Sequence, residues 1–128
     1  MAKKILQVVE VAYRATLEEQ DDTVVWLTHA MKAAGAELDL CLRGNAVNYA
    51  VKGQDAAGLA FGAKKQTQPP RLAEDVAKLI TKGVRVFLAE EDIADRGIER
   101  SDLIAAVEPV TRAGLPQLFA AYDQVWHW

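Results

Sequence analysis

The stretch that most limits what this chain can fold into is Val84 to Gly97, VRVFLAEEDIADRG. Its opening run, Val84-Arg85-Val86-Phe87-Leu88-Ala89, is too short for a helix and rich in the β-branched and aromatic residues that favour strands. The run breaks directly into Glu90, Glu91 and Asp92, and the next segment stops at Gly97. A buried strand feeding straight into a helix start is a unit of open α/β sheets. Such sheets place ligands outside the carboxyl ends of their strands. The rest of the chain is expected to supply the layers that bury this central strand.

Taken in order, Lys4 to Val11 predicts a first strand. Asp21-Asp22-Thr23 offers a helix N-cap. Val24, Leu27, Met31 and Ala34 then recur at helical spacing as a core-facing stripe. His29 falls off that stripe and is expected to face solvent. Glu37 to Leu42 reads as a second strand, with Leu38, Leu40 and Leu42 on one face and Asp39 and Cys41 on the other. Arg43-Gly44-Asn45 makes a turn, and Asn45 is placed to cap a short segment from Ala46 to Val51. Residues 53–70 hold three glycines and close on Pro69-Pro70. They read as one irregular, flexible loop of the kind that forms a lid or a binding loop. Arg71 to Lys82 predicts an amphipathic helix, followed by the central strand. Glu99 to Ala106 predicts a helix, Val107 to Thr111 a short strand, Leu115 to Tyr122 a last helix, and Gln124 to Trp128 a terminal strand. This alternation implies a single α/β domain over residues 1–128. It is a three-layer sandwich, with a mostly parallel five-stranded sheet, helices on both faces and right-handed crossovers.

With 128 residues the chain buries enough surface to fold without a staple. A net charge of −3 and the absence of a basic stripe argue against nucleic acid as a partner. No apolar run approaches the ~20 residues of a membrane helix. Met-Ala-Lys-Lys leads at once into a strand, which leaves no room for a signal peptide and makes a cytoplasmic protein the expectation. There is one cysteine and there are two histidines, far apart. No P-loop or dinucleotide fingerprint accompanies them, so neither a metal site nor a cofactor is expected.

Several side chains are candidates for function. Glu10, near the end of the first strand, either meets solvent or faces a cleft. Tyr13, Arg43 and Asn45 fall at strand ends close to the 53–70 loop, where a small anionic ligand would sit, with Arg43 the best anion binder. The alternative, and the favoured one, is a surface arginine paired with one of the many acids. Glu90, Glu91 and Asp92 either line that cleft or form the solvated first turn of a helix, where the dipole favours them. Cys41 is either a small core residue or a reactive thiol helped by Arg43 and opposed by Asp39. Trp126 and Trp128 are costly to solubility if exposed, so an interface is their natural place.

At VRVFLAEEDIADRGI the chain resembles the DsrE/DsrF-like family, small α/β proteins of sulfur relay that include DsrEFH- and TusBCD-type subunits. The likeness is nearest the DsrH/TusB-like branch over Val84 to Ile98, where an apolar strand, then Glu91-Asp92, then Ala94 to Gly97 is similar to that branch's characteristic run. The terminal tryptophan is also similar. The resemblance implies self-association into trimers or hexamers, with other sulfur-relay proteins as further partners. It also implies a cysteine near the end of the third main strand that accepts sulfur as a persulfide. Anchored on Gly97, that position is Ala89, which has no nucleophile. A non-catalytic or partner-docking member is therefore one expectation. A sulfurtransferase-type carrier that uses Cys41 instead is the other.

Overall fold

A computed structural model describes residues 3–12, 22–54 and 58–128. In chain order the main elements are β1 (Lys4–Val9), α1 (Thr23–Ala33), β2 (Glu37–Leu42) and a 3₁₀ turn (Gly44–Ala50). A hairpin of β3 (Ala60–Phe61) and β4 (Lys64–Lys65) comes next, then α2 (Leu72–Thr81), β5 (Val86–Ala89) and α3 (Glu90–Asp95). A short 3₁₀ turn (Arg100–Asp102) leads to β6 (Glu108–Val110), α4 (Leu115–Ala120) and β7 (Gln124–His127).

Five strands form one parallel sheet in the order β6-β5-β2-β1-β7. β2 holds the middle, and the strand that opens the Val84–Gly97 stretch lies beside it, between β2 and β6. Alternation along the strands divides the interior in two. Val9, Leu40, Leu42, Val86 and Leu88 point to one face, where they pack with Val24 and Val25 of α1, Val76 and Leu79 of α2, and Ile93 of α3. Leu6, Val8, Cys41 and Phe87 point to the other, against Leu115 and Tyr122. The expected three-layer α/β sandwich is the fold observed. Each large side chain taken fully from water contributes about 1.5–3 kcal/mol, so the fifteen or so aliphatic residues of the two faces dominate stability.

Buried polar groups tie the layers together. The Asp22 carboxylate is fully buried. Its Oδ1 caps α1 by accepting from the Val24 and Val25 N–H groups at 2.8 and 3.2 Å, and its Oδ2 accepts from the Tyr49 hydroxyl at 2.6 Å. One carboxylate thus anchors α1 to the 3₁₀ turn after β2. On the opposite face Asp39 accepts from the Tyr122 hydroxyl at 2.5 Å and from the Arg85 backbone N–H at 2.8 Å, which fixes the end of α4 to β2 and β5.

Several expectations need correction. The inward stripe of α1 is Val24, Val25 and Thr28, while Ala34 is exposed, so the helix is rotated from the predicted register. His29 is half-buried rather than solvent-facing. Its Nε2 lies 2.9 Å from the Asp75 carbonyl oxygen and its Nδ1 3.0 Å from Lys82 Nζ, so it links α1 to α2. A carbonyl can only accept and an ammonium can only donate, which puts the ring proton on Nε2. The predicted helix from Glu99 to Ala106 shrinks to the turn at Arg100–Asp102. Its backbone is claimed by tertiary bonds instead: Leu103 bridges Val51, the Lys52 N–H donates to the Asp102 carbonyl, and the Ile104 N–H donates to the Ala50 carbonyl. The 53–70 stretch contains the β3–β4 hairpin, turned at Gly62 with φ 62°.

Candidate functional site at the carboxyl ends of the strands

The carboxyl ends of β1, β2, β5 and β6 bring Glu10, Arg43-Gly44-Asn45, Ala89 to Asp92 and Arg112 to one side of the sheet. Gly44 makes the sharp exit from β2 with φ 56°, a conformation that glycine adopts without strain. Its N–H donates to Asp92 Oδ2 at 2.8 Å, which joins the end of β2 to the start of α3.

Two polar networks result. In the first, Arg43 Nε contacts Glu10 Oε1 at 2.9 Å, while His127 Nε2 lies 3.1 Å from Glu10 Oε2. Glu10 therefore bridges the ends of β2 and β7, and Arg43 is the arginine paired with an acid. In the second, Asp92 Oδ1 receives Arg112 at 2.9 Å, and Glu91 receives the Arg112 backbone N–H at 2.8 and 2.9 Å. Arg96, one helical turn beyond Asp92, donates to the Asp92 carbonyl and places two N–H groups on Asn45 Oδ1 at 3.1 and 2.7 Å. Asn45 therefore receives an arginine and caps no helix with its side chain. Burial would raise the Asp92 pKa, but the Gly44 and Arg112 hydrogen bonds outweigh it and hold the carboxyl below its ordinary range.

Of the predicted ligand-binding set, Arg43, Asn45, Glu91 and Asp92 thus share one end of the sheet but are divided between two networks. Tyr13 lies outside the described residues. Arg96, Arg112 and His127 were absent from the predicted set. Arg96 was within reach of sequence reasoning through its i, i+4 spacing from Asp92. Arg112 was within reach because it follows a strand end.

Cys41 sits one residue before the carboxyl end of β2, with 0 % of its surface exposed. It packs with Leu6, Val8, Phe87 and Leu115. Burial pushes its thiol pKa up to about 12, Arg43 draws it back in part, and Asp92 raises it further. The acid opposing the thiolate is therefore Asp92, from the strand end, where the sequence pointed to Asp39. Ala89 is also fully buried and forms the junction between β5 and α3. Among the described residues no group of three or more His, Cys, Asp or Glu side chains is placed to hold a metal ion. No helix among them is long and apolar enough to cross a membrane.

Trp126 and Trp128 lie at the β7 edge of the sheet. Trp126 is half-buried beside Gln7, and its indole N–H reaches Gln124 Oε1 at 3.2 Å. Trp128 is 39 % exposed. A shallow groove of about 180 Å³ opens beside α3, lined by Glu90, Ile93, Ala94, Ile98, Arg100 and Pro109.

The model of the DsrE/DsrF-like family matches residues 8–127. The chain belongs to this family. Its membership makes it sulfur-relay-related at the level of the family. Solved structures share the fold of this DsrE/DsrF-like chain. The ychN protein of E. coli is 22 % identical with a TM-score of 0.72, over 100 % of both chains. A protein of unknown function from Methanobacterium thermoautotrophicum is 13 % identical with a TM-score of 0.63, over 98 % of this chain and 99 % of the other. A conserved protein of unknown function from Bacteroides thetaiotaomicron is 10 % identical with a TM-score of 0.68, over 98 % and 95 %. No curated protein matches the sequence.

Proposed function

We propose that this DsrE/DsrF-like protein is a self-associating, partner-docking subunit of a cytoplasmic sulfur relay that carries no sulfur on its own thiol. The single observation behind this reading is the pairing of Ala89 with a sealed Cys41. Alanine occupies the strand-end position where the family resemblance implies the sulfur-accepting cysteine. The only thiol in the chain is fully buried, with its pKa raised to about 12. A persulfide carrier needs the reverse, an accessible thiol with a lowered pKa. The candidate ligand residues support the same reading. Arg43 is spent on Glu10, Asn45 on Arg96, Glu91 on the Arg112 backbone N–H, and Asp92 on the Arg112 side chain and the Gly44 N–H, contacts that tie strand ends together. The likeness over Val84 to Ile98 supports a reading nearest the DsrH/TusB-like branch, with trimers or hexamers and other relay proteins as its associations.

The test is intact-protein mass spectrometry after incubation with a persulfide donor, run beside timed alkylation of the native protein. The expected result is no reducible gain of sulfur and alkylation only after denaturation. A sulfur gained at Cys41 in the native fold, with fast alkylation, would make the chain a sulfurtransferase-type carrier instead.

A further inference from the structure

The β3–β4 hairpin is the one part of the described structure whose design is not explained by the fold around it. Its strands pair only with each other, at Ala60↔Lys65 and Phe61↔Lys64, and belong to no larger sheet. One further turn of bonding joins Leu59 to Gln66. Two-stranded hairpins are marginal in water without a surface to pack on. Every residue from 58 to 65 is nevertheless exposed, Phe61 at 62 % and Leu59 at 48 %. Alternation puts Leu59 and Phe61 on one face of the ribbon, with Lys64 directly across from Phe61. The ribbon thus presents an aromatic ring with an ammonium group beside it.

The groove beside α3 has the complementary character. Ile93, Ala94, Ile98 and Pro109 give it an apolar floor, with Glu90 and Arg100 as its charged lining. The charges match over a wider area. Residues 58–70 carry two lysines and no acid, whereas residues 90–102 carry six acids against two arginines.

We propose that the hairpin of one copy docks in the α3 groove of a second copy, with Phe61 on Ile98 and Pro109 and Lys64 on Glu90. The inference rests on the self-association reading above and names the surfaces that carry it. Hairpin and groove are different patches of one chain, so the contact is head-to-tail. Such contacts close into rings rather than twofold dimers when the rotation permits. The ring would cover an exposed aromatic and give the hairpin the surface it lacks.

Solution mass by light scattering tests this, with wild type, Phe61→Glu, Lys64→Glu, Glu90→Lys, Ala94→Arg and the Lys64→Glu/Glu90→Lys double variant. All four positions are exposed, and circular dichroism checks that each variant keeps the fold. The wild type should assemble. Phe61→Glu and Ala94→Arg should each be monomeric, yet mixed together they should give a one-to-one dimer, because one retains the groove and the other the hairpin. Each single charge reversal should weaken assembly roughly tenfold or more, and the double variant should recover it. A wild-type assembly that keeps its mass in both Phe61→Glu and Ala94→Arg would overturn the hairpin contact while leaving self-association standing. A wild type that is monomeric at every concentration would overturn both.

Discussion

The indole N–H of Trp128 donates to Oε1 of Gln7 at 2.7 Å, and Gln7 is fully buried in the first strand. The amide's other end meets the Met31 sulfur at 3.7 Å, a weak acceptor. The last strand thus supplies the firmer of the two contacts that satisfy a polar side chain inside the core. Trp128 has work within its own chain, whatever its exposed face meets.

Trp128→Phe keeps the aromatic bulk but removes the donor. Loss of a partner for a buried amide costs roughly 1–3 kcal/mol. Urea denaturation should show that loss with the solution mass unchanged. A fall in mass at unchanged stability would instead make the indole an interface anchor.

Cys41 should ignore alkylating reagents until the protein unfolds. Its folded pKa is raised from 9.0 to about 12, so the unfolded state gives up its proton first as pH rises. The stability this confers is therefore complete below about pH 9 and is lost as pH climbs from there toward about 12. Melting temperatures across that window should fall less steeply in Cys41→Ala than in the wild type, from a lower starting value because of the cavity.

Asp92 works in the opposite sense. Its folded pKa is lowered from 3.8, so the contribution of the carboxylate is complete above that value and is lost as pH falls through the folded one. Asp92→Asn removes the charge that holds Arg112 and the Gly44 N–H. With Arg112 half-exposed, a loss of roughly 1–2 kcal/mol at neutral pH is expected. Denaturation at pH 7 and pH 3 should show the gap between wild type and variant closing in acid.

Asp22→Ala removes a helix cap, worth about 1 kcal/mol, together with the acceptor of the buried Tyr49 hydroxyl. The combined loss should be roughly 2–3 kcal/mol. Tyr49→Phe should lose less than Asp22→Ala, and the double variant should lose less than the sum of the two, since they share one hydrogen bond. Full additivity in the denaturation cycle would show that the pair is uncoupled.

Much of the fold was legible because its signals are local. Period-two alternation placed Cys41 opposite Leu40 and Leu42, and Pro69-Pro70 and Gly83 bracketed α2. The segment from Glu99 to Ala106 was misread because its backbone bonds run to Ala50, Val51 and Lys52, about fifty residues away. Local propensity carries no trace of such partners. At the strand ends the sequence singled out Glu10, Arg43, Asn45, Glu91 and Asp92 as candidates but not their pairings. Which arginine meets which acid depends on strand order, and strand order was not in the pattern. Arg96 reaches Asn45 only because β2 and β5 are neighbours.

The parallel pairing of β1 with β7 has a consequence for synthesis. The first strand made finds β2 early but has its other edge covered only when residues 124–127 arrive. Through most of translation that edge is a row of open backbone donors and acceptors, the feature that lets nascent chains on neighbouring ribosomes stick to one another. β7 covers it and leaves in its place only its own four-residue edge, so chaperone demand should centre on the interval before β7 emerges.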